Sequence, residues 1–138
     1  MRKEPKPELT WVLKQIEIAP QLKDSPPDLA SGFSAHIAWI SDYGHNTFYR
    51  AHNNLSGIPF CAISESFGGS LGFPDAYGRI ARFSNLAAYV DCYLYTHGHL
   101  LKLSAREFFA HMQRNDLTTN AARRWGKIVE TWENHFAQ

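Results

Sequence analysis

The feature that most constrains the fold is a change of residue pattern in the middle of the chain. Before Gly57, apolar residues recur at helical spacing, as they do along residues 9–16. From Gly57 onward, two short β-type runs, 58–63 and 77–83, flank a glycine-rich loose turn. Helical patterns return after the second run. One small β-hairpin inserted between helices predicts an α+β, mainly helical fold.

Start and stop signals divide the helical parts of the chain. Ser25-Pro-Pro-Asp28 combines a capping serine with prolines in a first helical turn, and Ser104-Ala-Arg-Glu107 has the form of a capping box. Pro20 and Gly98 are stop signals. The predicted helices cover about residues 9–18, 25–41, a short stretch within 42–56, 85–96 after a capping Ser84, 104–112 and 120–136.

Length and charge bound the class of protein. The chain has 138 residues, a length that predicts a single domain. Residues 1–8 are mostly polar or charged and are predicted to be a tail, which leaves residues 9–138 for the domain. The formal net charge is only +1, so no broad basic surface is available to bind nucleic acid. We therefore expect no nucleic-acid partner.

Cysteine usage and the N-terminal sequence predict a cytoplasmic protein. Cys61 and Cys92 are the two cysteines, too few for a disulfide framework, and we expect both to be buried free thiols. The charged N-terminus has no apolar run after it and does not have the form of a signal peptide. No stretch reaches the roughly 18 apolar residues of a membrane span. A phage endolysin released through a holin would share this pattern.

Two motifs with a fixed spacing lie in the first half of the chain. They are Ala35-His-Ile-Ala-Trp-Ile-Ser-Asp-Tyr-Gly44 and Ala51-His-Asn-Asn-Leu-Ser-Gly-Ile58. The pair resembles the glucosaminidases of flagellar and autolysin type, which are peptidoglycan hydrolases with a lysozyme-like fold. Their pattern reads Leu-Glu-Ser-Gly-Trp-Gly, followed by Asn-Asn-Leu-Phe-Gly-Ile. The resemblance implies a lysozyme-like domain.

The match is strongest in the second motif and departs from the family at the catalytic position. Ser41 and Gly44 match, Tyr43 stands for the family tryptophan, and Ile40 falls on the catalytic glutamate. The positions that match in the second motif are Asn53, Asn54, Leu55, Gly57 and Ile58. Further along, Phe83 stands for a family tyrosine, and Lys127-Ile128 matches a C-terminal pattern.

The position of Ile40 argues against glycoside hydrolysis. Cleaving a glycosidic bond needs a carboxylic acid to protonate the leaving oxygen, and usually a second carboxylate. Isoleucine supplies neither a proton nor a charge. Glu65 lies about where the family places its second acid, and Asp75 lies in the same predicted hairpin. These two carboxylates are the candidate catalytic residues if any hydrolysis occurs.

Aromatic and amide side chains around the expected cleft are the candidate binding residues. Aromatic rings stack on sugars and also form protein interfaces, and an exposed subset on the hairpin would mark a binding surface. The candidates are Trp39, Tyr43, Asn53, Asn54, Phe67, Phe73, Tyr77 and Phe83.

A metal site is not expected, although His97-Gly-His99 follows Asp91 and Cys92. His-x-His places both rings on one face of a strand, whereas this pair lies at the end of a predicted helix. The helix dipole favours histidine there without any metal. We predict no metal and no cofactor.

Three functions are compatible with these features. The first is a catalytically inactive glucosaminidase relative, used as a cytoplasmic protein-binding or inhibitory factor of a phage or mobile element. Its partner would be a protein that contacts the cleft and the hairpin. The second is a divergent peptidoglycan hydrolase that uses Glu65 or Asp75. The third is a glycan-binding module without hydrolytic activity.

Overall fold

The computed structural model describes residues 4–75 and 78–114. Two antiparallel strands, β1 (Ser70–Asp75) and β2 (Gly78–Arg82), lie between helical segments, so the predicted α+β, mainly helical fold is confirmed. Single 3-10 turns occupy Pro20–Leu22 and Gly98–Leu100. The helices are α1 (Pro7–Glu17), α2 (Leu29–Ile40), α3 (Thr47–Ala51), α4 (Ala62–Ser66), α5 (Leu86–Thr96) and α6 (Ala105–Arg114). The predicted helix at 120–136 lies outside the described residues.

Helix α1 forms where the apolar spacing predicts it. Pro7 occupies its first turn, where a missing N–H breaks no helical hydrogen bond. Leu9, Val12 and Ile16 are fully buried against α2 and α5. Burying each of these side chains stabilises the fold by about 1.5–3 kcal/mol. Pro20 follows the end of the helix, as predicted.

Helix α2 starts one turn later than the sequence predicts. Asp28 precedes its first residue and does not cap it, because the Asp28 carboxylate accepts the Ala105 N–H of α6 at 3.2 Å. Gly32 lets the two helices approach closely, since a Cβ there would lie 3.0 Å from the Cβ of Ala105. The start of α6 agrees with the sequence: Ser104 and Glu107 form the predicted reciprocal capping hydrogen bonds.

The hairpin is present, but its first strand lies further along the chain than predicted. Residues 58–63 were expected to be a strand, yet only Pro59 forms a bridge, to Ile80, and α4 begins at Ala62. The Ser64 hydroxyl accepts the Cys61 N–H at 2.9 Å, which favours a helical turn there over continued strand. The predicted loose turn instead carries β1.

Strands β1 and β2 pair with an irregular register. Leu71 lies opposite Ala81 and Pro74 opposite Arg79, and a β-bulge separates Leu71 from Pro74. Proline lacks an N–H to donate, so its place beside a bulge on an outer strand is favourable.

The core between α2, α5 and α6 is largely aromatic. The Phe33 ring contacts Tyr93 edge-on at 5.5 Å and Phe108 at 4.9 Å. Two histidines belong to this cluster: His36 Nδ1 forms a 2.7 Å hydrogen bond with the Tyr93 hydroxyl, and His97 stacks on the Tyr93 ring. Across residues 4–75 and 78–114, the helices are too short or too polar to cross a membrane.

Candidate functional site

The end of α2 carries the position where the resemblance implies a catalytic acid. Ile40 is partly buried and packs against the core. The chain then turns through Asp42 and Tyr43, whose φ angles of 53° and 55° are unusual for residues other than glycine. Gly44 completes this turn with a φ of 84°. The position of Ile40 thus carries an aliphatic packing residue at the start of a constrained turn.

The two candidate acids, Glu65 and Asp75, lie in α4 and β1. Glu65 lies in α4 with its side chain exposed to solvent. Asp75 is the last residue of β1. A general acid for glycoside cleavage works from a partly apolar site that keeps its proton on. The exposed position of Glu65 does not provide that environment.

The matched asparagine pair joins α3 to β2. Asn54 is fully buried; its amide donates to Ile58 O and Ala81 O at 2.9 and 2.8 Å, and its carbonyl accepts the Ile58 N–H at 2.8 Å. Asn53 has a φ of 48° and donates to Phe83 O at 3.0 Å. These side chains are therefore engaged in holding the hairpin to the helical part.

The other aromatic candidates divide between the interior and the surface. Phe83 is buried, while Trp39 and Tyr43 are half-buried and pack on the core. Phe67 is half-buried and contacts the ring of Tyr95 at 5.3 Å. Tyr77 lies outside the described residues.

Two exposed apolar side chains of β1 lie near two arginines of the paired strand β2. The side chains of Phe73 and Leu71 are 65% and 53% exposed. Arg82 pairs with Ser70 ahead of Leu71, and Arg79 pairs with Pro74 beyond Phe73. The Arg79 guanidinium donates to Gly72 O at 3.2 Å. We call Leu71, Phe73, Arg79 and Arg82 the hairpin surface.

A buried histidine that was not among the predicted site residues holds this surface to α3. His52 is 2% exposed; its Nδ1 lies 2.7 Å from Phe48 O, and its Nε2 lies 3.0 Å from the Phe73 nitrogen. A carbonyl only accepts and an amide N–H only donates, so the proton is assigned to Nδ1 of a neutral ring. Gly72 leaves the space that the imidazole fills, since a Cβ there would lie 2.5 Å from His52 Cδ2.

A second apolar surface surrounds the outer face of α5. Two neighbouring depressions of about 700 and 500 Å³ share Gln21, Asp91 and Leu94. We call them together the α5 groove. Its remaining described lining residues are Gln15, Ile18, Ala19, Pro20, Ile63, Phe67, Val90, Tyr95, Thr96, Gly98, His99 and Leu101.

The two thiols differ, although both were expected to be buried. Cys92 is buried in α5, and burial raises the pKa of its thiol. Cys61 is exposed at the start of α4, where a hydrogen bond from the Ser64 backbone N–H lowers the pKa of its thiol. The prediction of a buried Cys61 was wrong because that thiol serves as the cap of α4.

The His-x-His segment is divided between core and surface. Burial of His97 lowers the pKa of its imidazole to about 4, and its Nδ1 lies 2.8 Å from Tyr93 O. His99 is exposed, on the 3-10 turn that follows. Within the described ranges, histidines, cysteines and carboxylates do not gather in groups of three or more that would hold a metal.

Comparisons with protein-family models, curated proteins and solved structures found no match. The lysozyme-like domain and the relation to glucosaminidases therefore stay predictions from the two motifs.

Proposed function

We propose that this chain is a non-catalytic domain that binds a protein partner through the hairpin surface. The observation that supports the proposal best is the exposure of Leu71 and Phe73, at 53% and 65%, on a strand that His52 holds in place. Exposed large apolar side chains that lie together mark interaction sites on soluble proteins. The aliphatic Ile40 and the exposed Glu65 fit a function without hydrolysis.

The charges of the hairpin surface define the chemistry of the partner. Arg79 and Arg82 lie on β2, the strand paired with the one that carries the apolar residues, and the Arg79 guanidinium donates to Gly72 O at 3.2 Å. A partner surface with an apolar centre and carboxylates at its edge would cover Leu71 and Phe73 and pair with both guanidinium groups. Complementary charge of this kind increases the association rate and fixes the orientation of the complex.

The proposal is tested by cross-linking followed by reconstitution. A photo-cross-linking amino acid in place of Leu71 captures the partner in the native host, and the captured protein is then purified. We expect Phe73→Ser to weaken its affinity by about 30-fold, the effect of removing a central aromatic contact. Trp11→Ser is the matched control, because Trp11 is 42% exposed and lies outside both the hairpin surface and the α5 groove.

Two results would contradict the proposal. One is a partner whose affinity does not change in Phe73→Ser. The other is release of soluble muropeptides from purified peptidoglycan by the wild-type protein and not by Glu65→Gln, which would make the chain a hydrolase. Saccharide binding without cleavage would instead favour a glycan-binding module.

A further inference from the structure

The α5 groove is lined by three segments of the chain. Helix α5 forms its floor with Val90, Asp91 and Leu94. One wall comes from α4 together with the turn after α5, and the other comes from the end of α1 and the turn at Pro20–Leu22. The two depressions share Gln21, Asp91 and Leu94 and thus lie side by side on the outer face of α5.

Large apolar side chains stand on both walls. Ile18 is 63% exposed on one wall, and Ile63 is 44% exposed on the opposite wall. Tyr95 is 63% exposed beside Phe67. A small molecule on the floor would leave Ile18 and Tyr95 in contact with water. A helix lying across the floor would cover the floor and both walls, which is the groove mode of peptide recognition.

The charge of the groove indicates which charge its occupant should carry. Asp91 lines both depressions, and no other acidic or basic side chain is among the described lining residues, His99 aside. A carboxylate that an occupant covers needs a cationic partner, since an unpaired buried charge is strongly unfavourable. Arginine suits the position best, because it can pair with Asp91 and stack on the exposed Tyr95 ring.

We propose that the α5 groove binds a basic amphipathic helix of a partner protein. Its apolar side chains, at helical spacing, pack between Ile18 and Ile63, and one arginine or lysine pairs with Asp91. This site is separate from the hairpin surface and does not depend on the proposed function.

A selection from a peptide library tests the inference. The immobilised protein is screened against random peptides of about 16 residues, roughly four and a half helical turns. We expect enrichment of peptides with apolar residues at i, i+3 or i+4, and i+7, and with arginine or lysine beside them. Asp91→Lys should instead select glutamate or aspartate at that position. Asp91→Asn should weaken the selected basic peptides by about threefold.

Controls separate this proposal from the hairpin surface. Ile63→Gln with Tyr95→Gln should abolish the selection, and both sites are exposed enough for the protein to stay folded. Phe73→Ser should leave it unchanged. The inference is overturned if no peptide is enriched, if Asp91→Lys selects the same charges as wild type, or if the groove variant still binds. Self-association of the chain that disappears in the groove variant would also overturn it, because the occupant would be a second copy.

Discussion

Replacing Gly72 with alanine tests how the hairpin surface is held in place. An added Cβ would lie 2.5 Å from His52 Cδ2, 2.8 Å from His52 Nε2 and 2.7 Å from Ile80 O. Contacts this short force something to move. The imidazole cannot swing away freely, because it is 2% exposed and hydrogen bonded to Phe48 O and the Phe73 N–H.

The expected destabilisation follows from those contacts. Overfilling a packed site costs about 1–3 kcal/mol. Displacing His52 from the Phe73 N–H adds about 1 kcal/mol for the lost hydrogen bond. The free energy of unfolding should therefore fall by about 2–4 kcal/mol in Gly72→Ala. With an m value of about 1.5 kcal/mol/M, the urea midpoint falls by roughly 1.3–2.7 M.

Equilibrium urea unfolding, followed by circular dichroism, measures this change against Gly98→Ala. Nothing lies within 4 Å of a Cβ added at Gly98, so that variant should change the free energy of unfolding by less than about 1 kcal/mol. Combining Gly72→Ala with His52→Ala should give a smaller loss than the sum of the single variants. Equal midpoints for the two glycine variants, or strictly additive losses, would refute the steric argument.

Three further changes test other parts of the structure. Asn54→Ala leaves Ala81 O and the Ile58 N–H without a buried partner and should lower the free energy of unfolding by about 2–5 kcal/mol in urea titrations, whereas a loss under 1 kcal/mol would refute that role. His97 has a pKa of about 4 in the folded protein, below the usual 6.5, so the unfolded chain takes up this proton at a higher pH than the folded protein does. The free energy of unfolding should therefore fall as the pH drops from 6.5 toward 4, by about 3 kcal/mol in all. His97→Asn should flatten that slope in urea titrations at several pH values, and an unchanged slope would contradict the assignment. Iodoacetamide at neutral pH should modify Cys61 and spare Cys92 in the folded protein, as mass spectrometry of tryptic peptides would show, and equal labelling would contradict the burial of Cys92.

The sequence predicted those elements whose signals are local. Leu9, Val12 and Ile16 recur on one face of α1, and Ser104 with Glu107 caps α6, so spacing and capping chemistry were sufficient there. The start of α2 was misplaced because the Asp28 carboxylate bonds to Ala105, a residue distant in sequence. A hydrogen bond between residues distant in sequence produces no periodic pattern from which it could be predicted.

The same limit explains the errors around the hairpin and the missed histidine. Residues 58–63 have a strand-like composition. The Ser64 hydroxyl accepts the Cys61 N–H, however, and α4 begins at Ala62. His52 was missed because its partner Phe73 lies 21 residues further along the chain, a distance that local patterns do not report. The one available indication was Gly72, because a glycine within a strand often marks close approach of another group.

The contact between His52 and β1 is informative about the role of this strand. A strand that serves only stability gains from polar side chains on its solvent face, because exposed aromatic and aliphatic groups favour aggregation. Here Leu71 and Phe73 face solvent, while Gly72 between them accommodates a buried histidine that holds the Phe73 backbone. The fold thus gives a fixed position to two apolar side chains that contribute little to its own core. A fixed position lowers the entropy lost when a partner binds, so this arrangement favours recognition over packing as the role of the hairpin surface.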